Sequence, residues 1–246
     1  MVNITYIGHS TVLAQGESSS ILTDPIFSNR ALFLKRRIPL PLPPEKIPLP
    51  SAIVVSHAHY DHLDIPTYKY FPASIPIIVP VGLSRILGKF LKNPIIELTH
   101  GATHEVQPGL AVTAFPVSHC GFRLSGVTYR GTNGYWIELE GKKIFFPGDT
   151  GYRTDFKRFV GSDLALLPVG PIIPEWFMRR IHLNAEDLLR VMEDLEATKV
   201  IPIHWGTFSL GLEPLNEPIE QLKRLIDERG LSERVPILQA GESLAI

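Results

Sequence analysis

Short apolar runs, each stopping at a polar residue, set the rhythm of this chain. Residues 52–55 read Ala-Ile-Val-Val and predict a buried strand. Runs of the same kind predict strands at 2–7, 20–23, 75–79, 95–98, 110–117, 163–169, 199–203 and 235–238. Residues 132–139 and 143–146 flank Glu140-Gly141-Lys142 and predict a β-hairpin. The period lengthens near the C-terminus. Asn184 is a good helix N-cap, and Leu188, Leu189, Val191, Met192 and Leu195 form an apolar stripe behind it. A second helix opens with Pro218 in its first turn, buries Ile219, Leu222, Leu225 and Ile226, and stops at Gly230. Shorter helices are predicted at 66–71, capped by Asp64, and at 83–91, with Arg85, Lys89 and Lys92 facing outward. Prolines crowd residues 39–50, which read as an extended surface excursion. Without a repeat or a low-complexity linker, residues 1–246 read as one domain.

The polar residues that end these runs share a chemistry. Ile7 is followed by His9, Leu22 by Asp24, Val55 by His57, Val117 by His119, Phe146 by Asp149 and Ile203 by His204. Ligands from separate strand ends converge when the strands share one edge of a layered sheet structure. The densest stretch is Ser56-His57-Ala58-His59-Tyr60-Asp61-His62-Leu63-Asp64. Residues two apart on an extended backbone face one side, so His57 and His59 can grip one metal ion. Asp61 and His62 fall where the chain turns and can point at a second. Imidazole nitrogen with carboxylate oxygen suits zinc. His9 and Asp24 read as hydrogen-bond partners that orient metal-bound rings.

Composition narrows the classes. A hydrophobic content of 44% over 246 residues supports a real core. The formal net charge of -1 gives no electrostatic footprint for nucleic acid. Cys120 is the one cysteine, so no intrachain disulfide forms. It reads as a small packed residue, not a catalytic thiol. The first residues lack the pattern of a signal peptide, and the longest apolar stretch, 75–83, is broken by Pro76 and Pro80. The expectation is a soluble cytoplasmic protein. In residues 31–37, Leu32, Phe33 and Leu34 precede three basic residues. This segment reads as a packed helix with a solvated end; the alternative is peripheral contact with a membrane. His100 and His104 read as surface residues of a Gly-containing loop.

The set His57-x-His59-x-Asp61-His62, then His119, Asp149 and His204, resembles the metallo-β-lactamase-fold hydrolases, over almost the whole chain. Finer motifs are Gly8-His9-Ser10-Thr11-Val12-Leu13, Leu22-Thr23-Asp24-Pro25-Ile26-Phe27, Gly148-Asp149-Thr150-Gly151-Tyr152, Trp176-Phe177-Met178 and Ile203-His204-Trp205-Gly206-Thr207-Phe208. They are similar to the branch that contains N-acyl-phosphatidylethanolamine-hydrolysing phospholipase D and ascorbate-6-phosphate lactonase, with the phospholipase the nearer. The resemblance implies an α/β fold, a four-layer αββα sandwich. It implies two divalent ions, zinc in the first instance, with manganese and iron as alternatives. His57, His59 and His119 would hold one ion, Asp61, His62 and His204 the other, and Asp149 would bridge them. Two departures stand out. The chain begins at its first strand without the longer N-terminal region of the eukaryotic phospholipase, and the loop from Cys120 to Ser125 is not a close match.

That set implies a dinuclear hydrolase whose metal-bridging hydroxide is the nucleophile, with Asp61, Asp149 and His182 as the catalytic residues. His182 has two readings: a surface residue before a helix, or a donor to a substrate oxygen or leaving group. Two ions, two aspartates and one hydroxide sum to about +1, which suits a singly charged phosphodiester, free or in a lipid. The alternatives are a lactonase acting on a phosphorylated sugar acid and a di-iron redox protein on the same fold. The neutral chain offers no nucleic-acid partner.

Overall fold

The computed structural model describes residues 1–123 and 131–246. The first half of the chain builds one sheet from β1 (Asn3–Gly8), β2 (Thr11–Gln15) and β3 (Ser20–Thr23). A separate two-stranded hairpin follows, β4 (Arg30–Ala31) and β5 (Leu34–Lys35). The sheet then continues with β6 (Ala52–Val54), β7 (Ile77–Pro80) and β8 (Ile95–Leu98). The second sheet comprises β9 (Thr103–Gln107), β10 (Leu110–Phe115), β11 (Gly134–Leu139), β12 (Lys142–Phe146), β13 (Leu164–Pro168) and β14 (Lys199–Ile203). The last strand, β15 (Ser243–Ala245), returns to the first sheet, whose order is β15-β1-β2-β3-β6-β7-β8. The second sheet runs β14-β13-β12-β11-β10-β9. In each sheet an antiparallel half joins a parallel half.

Alternation along the strands builds the layers. Ile21, Ala52, Val54 and Ile78 enter the core that faces the second sheet. Their neighbours Leu22, Ile53, Val55, Ile77 and Val79 enter a separate core on the outer face. Both faces are therefore apolar, and the short runs read as continuous because period-2 alternation has no polar side. The outer face is covered by a 3-10 helix at Ile65–Tyr70 and by α1 (Ser84–Leu87). Of the later helices, α2 (Glu175–Met178) has no buried residue. In contrast, α3 (Ala185–Asp194) and α4 (Glu217–Arg229) bury their stripes on the second sheet. The sequence is helical layer, sheet, sheet, helical layer, as the αββα expectation has it.

Several local expectations change. Residues 11–15 and 103–107 are strands that the apolar pattern did not mark, so His104 lies on β9 and not in a loop. The helix expected at 83–91 keeps one turn, because Leu83, Ile86 and Leu87 are the buried residues there and Gly88 follows at once. The element after Asp64 is a 3-10 helix, and Asp64 holds its N-cap position without a side-chain bond to its amides. Its carboxylate instead accepts from the Ser28 amide at 3.0 Å and from the Thr67 hydroxyl. Residues 235–238 are not a strand: Pro236 has no N–H for a ladder, although Val235 and Leu238 stay in the core. Ser243–Ala245 takes that place by pairing with β1.

Residues 31–37 are not a helix. The chain reverses at Leu32, with φ of 55°, and Arg36 folds inward to donate to the carbonyls of Ile26 at 2.6 Å and Ser28 at 3.1 Å. Those bonds satisfy loop carbonyls that a helix would leave open. They leave Leu32 and Phe33 at a hairpin tip, 57% and 74% exposed. The loop departure noted after His119 falls in part on residues 124 and 125, outside the described residues.

Candidate metal centre

The strand ends of both sheets meet at one edge. From the first sheet come His9, Asp24 and the 56–64 loop; from the second come His119, Asp149 and His204. His9, Asp24 and His204 have φ of 58°, 33° and 68°, a region that side-chain-bearing residues rarely enter. Such conformations persist only where surrounding structure enforces them, and they gather at functional sites. Gly148, φ 61°, brings the Asp149 turn against Ser56: a β-carbon there would stand 2.3 Å from that of Ser56.

Asp24 orders the first ring of the site. Its carboxylate, fully buried, accepts from the Ser56 amide at 2.7 Å, the Ser56 hydroxyl at 2.5 Å and His62 Nδ1 at 2.6 Å. With its proton committed to Asp24, Ser56 Oγ accepts from His57 Nδ1 at 2.9 Å. One carboxylate thus sets the tautomer of two imidazoles and leaves Nε2 of each facing the interior. His119 Nδ1 donates to the Ile181 carbonyl at 3.1 Å, and His204 Nδ1 to the Gly170 carbonyl at 3.2 Å.

The inward nitrogens form two groups. His59 Nδ1 lies 2.9 Å from His57 Nε2 and 3.2 Å from His119 Nε2. Beyond them, Asp61 Oδ2 lies 3.5 Å from His62 Nε2 and 3.4 Å from His204 Nε2. Asp149 touches both groups: Oδ2 is 3.8 Å from His119 Nε2 and 3.3 Å from His62 Nε2, while Oδ1 is 3.2 Å from His204 Nε2. Yet His62 Nε2, His204 Nε2 and Asp149 Oδ1 have no aligned hydrogen-bond partner among the described residues, although they are buried. His204 Nε2 and Asp149 Oδ1 stand 3.2 Å apart without the alignment of a hydrogen bond. Buried polar atoms without partners are costly, and a cation between them removes the cost. The donors therefore fit a metal cation.

Charge supports the same fit. Burial alone would raise Asp61 and Asp149, but the surrounding histidines, His62 and His204 foremost, hold both well below the carboxylate range. Burial alone would lower His62 and His204; the carboxylates of Asp149 and Asp61 lift His204 to about 9 and His62 well above its ordinary value. His57 and His119 go the other way, driven first by burial and then by neighbouring imidazoles, with His119 at about 4. In the metal-free protein, protons on His62 and His204 supply the positive charge that the carboxylates demand.

The family model for the Beta-lactamase superfamily domain matches residues 19–205. The chain belongs to the beta-lactamase superfamily. It has the metallo-β-lactamase fold. It is 36% identical to N-acyl-phosphatidylethanolamine-hydrolyzing phospholipase D 1 of Caenorhabditis elegans, over 92% of this chain and 70% of that protein. It is 34% identical to the phospholipase D of that name, called mitochondrial, from Saccharomyces cerevisiae, over 97% of this chain and 55% of the yeast protein. Igni18, a metallo hydrolase from Ignicoccus hospitalis, shares the fold with a TM-score of 0.74 at 21% identity, covering 99% of this chain and 97% of that one. No helix among the described residues is long and apolar enough to cross a membrane.

Within this superfamily member, the residues singled out from sequence fall as follows. His57, His59, His119 and Asp149 form one group of donors within 4.8 Å of one another, and Asp61, His62 and His204 form another with His9. His9 donates from Nε2 to Asp61 Oδ2 at 3.0 Å, since the ionised carboxylate can only accept. His182 is buried, not on the surface, with Nδ1 3.8 Å from Asp149 Oδ2. Cys120 is exposed and lines the cavity over the site instead of packing; Gly121 takes the packed position, against His57. The sequence reading missed two supports. Ser56 links His57 to Asp24, and its place directly before His57 was the available sign. Arg123 donates to the carbonyls of Ala58 at 3.2 Å and Leu63 at 2.7 Å, gripping both ends of the His loop.

Two outcomes are expected. Protein purified without added metal should carry close to two equivalents of transition metal, and reloading apo protein should release protons from His62 and His204. Both are protonated at neutral pH, so ion affinity should fall as pH drops below about 9, the value for His204. Proton release is read by calorimetry in buffers of different ionisation enthalpy; uptake without release would contradict the assignment. Second, Asp149→Ala should lose more metal than His204→Ala, because Asp149 touches both groups. Equal single-ion losses by elemental analysis would remove its shared role.

Proposed function

We propose that this protein is a metal-dependent hydrolase and cleaves a phosphodiester that carries an apolar substituent, as in a phospholipase D reaction on a lipid. The observation that supports it is the cavity over the candidate metal centre, about 500 Å³ in volume. Its floor is His59, Asp61, His119, Asp149, His182 and His204, and its wall is Phe122, Pro171, Phe177, Met178, Ile181 and Leu210. No Lys or Arg stands among its described lining residues. One anionic group at the floor and an apolar chain along the wall match that division. A phosphorylated sugar acid, with more charge and many hydroxyls, would meet a wall without partners for them. The names of the worm and yeast relatives point the same way.

When bound, two divalent ions would lower the pKa of water and neutralise phosphoryl oxygens. The chain's own residues do the rest. His57, His59 and His119 would hold one ion, Asp61, His62 and His204 the other, and Asp149 both. The apolar wall excludes water and orients the ester. Burial lowers His182 to about 3, with His119 and His204 adding to the effect and Asp149 opposing it. At neutral pH it is an uncharged ring, so it serves as an N–H donor to a substrate oxygen and not as an imidazolium acid.

The same reading brings the substrate to the site from a lipid surface. Phe177 lines the cavity and its neighbour Trp176 is 74% exposed, while Leu212, beyond Leu210, is 81% exposed. Arg179 and Arg180 follow on the same stretch, and Arg30, Lys35 and Arg37 flank the Phe33 hairpin. Apolar tips with adjacent cations suit a headgroup layer.

Fully metallated protein should hydrolyse bis(p-nitrophenyl) phosphate faster than the monoester, and should bind vesicles containing phosphatidylethanolamine. Turnover of a phosphorylated sugar lactone alone, in a side-by-side assay, replaces this reading with the lactonase. His182→Ala should keep both ions and lose about 10²–10³-fold in kcat. His182→Gln should recover part of that loss, because a neutral donor suffices. Equal loss in both variants would mean that the ring, not its N–H, matters.

A further inference from the structure

Residues 170–183 form a closed loop over the site. The Gly170 amide donates to the Leu183 carbonyl at 2.9 Å, which shuts its base. Compact loops with joined ends are packed by their own side chains and are frequently functional. This one has two sets of inward groups. Its carbonyls at Gly170 and Ile181 accept from His204 and His119, one imidazole in each donor group. Its side chains Pro171, Phe177, Met178, Ile181 and His182 line the cavity. The same backbone therefore orients both halves of the candidate metal centre and builds most of the apolar wall.

The loop is pinned from two sides. At its far end Arg179 makes a paired contact with Asp187 of α3, at 2.8 and 3.0 Å. Gly151 allows the approach there: a β-carbon on it would stand 2.3 Å from the Arg180 carbonyl oxygen. At its near end, beyond the His204 bond to the Gly170 carbonyl, the side-chain anchor among the described residues is Glu213. Its two carboxylate oxygens accept from the amides of Ile172 at 2.8 Å and Ile173 at 3.1 Å. Glu213 comes from the 206–216 segment, which also carries Leu210 of the wall. Two charge-assisted bonds to consecutive amides fix both position and tilt of the backbone that follows Gly170.

We propose that Glu213 is a positioning residue that holds the 170–183 loop and thereby sets both ion affinity and the fit of the apolar wall. It touches neither ion nor substrate. Without it, residues 171–173 relax, the Gly170 carbonyl swings away from His204, and the wall opens at Pro171. Partners of metal-bound imidazoles are typically worth about 10–100-fold in ion affinity, and Glu213 acts one step further out, so the lower end is expected. The proposal rests on the reading of an ion-binding floor beneath an apolar wall, but not on which bond is cut.

The test compares Glu213→Ala and Glu213→Gln with the unaltered protein. Zinc affinity is measured by chelator competition on protein without substrate. KM is measured for bis(p-nitrophenyl) phosphate and for p-nitrophenyl decyl phosphate. Glu213→Ala should weaken zinc binding by about 10-fold and raise KM for the decyl diester while leaving that of the short one within about 2-fold. Glu213→Gln, which keeps one acceptor oxygen, should lie between. It also serves if the Ala variant fails to fold. A folded variant that melts lower but binds zinc and the decyl diester as before would overturn the proposal, because a merely structural contact behaves that way. If neither diester is turned over, the phosphodiester reading fails, and the zinc affinities alone decide the role of Glu213.

Discussion

A fully buried carboxylate outside the cavity lining holds this site together. Asp24 sits at the end of β3 and collects three donors, two from Ser56 and one from His62. Through Ser56 it reaches His57 as well. Its own ionisation is opposed first by burial, which raises it, and eased by His62 and Ser56. Each interaction needs the others: the rings are aimed by the carboxylate, and the carboxylate is tolerated in the interior because the rings and Ser56 satisfy it. The unusual φ at Asp24 is the backbone cost of putting it there.

The sandwich explains how so many polar groups can share one place. The central strands β6, β7 and β13 are buried on both faces, so the interior around them has no room for a histidine. The edge of the sheets does. Parallel strands β3 and β6 in the first sheet, and β12, β13 and β14 in the second, all release their chains in that direction. Loops leaving those ends meet across the gap between sheets, where Gly148 permits contact with Ser56. The result is a polar floor with an apolar wall above it. A hydrolytic centre needs the first, and discrimination among esters needs the second.

Electrostatics ties the halves together. Asp61 and Asp149 are ionised in a buried place, and two protonated imidazoles offset them in the metal-free protein. An ion bound there would compete with those protons for the same atoms. His57, His59, His119 and His182 remain neutral and ready to donate lone pairs or, at His182, an N–H.

The sequence by itself determined the strands that bury both faces, the two long helices and the seven candidate donors, because these depend on local period and on chemistry with few substitutes. Asn184, for example, accepts from the Asp187 amide at 2.8 Å as its place before an apolar stripe requires. What only the tertiary structure decided lies in contacts between residues far apart in the chain. β15 exists because β1 offers it an edge. Residues 31–37 turn back on themselves because Arg36 finds the carbonyls of Ile26 and Ser28. Asp64 keeps its expected N-cap position, but its carboxylate turns to the Ser28 amide and the Thr67 hydroxyl. His182 became a buried ring above Asp149, and Glu213 an anchor for residues 172 and 173, only through loop closure. A carboxylate or an imidazole in a loop has many satisfactory partners, and chain spacing does not choose among them; packing does.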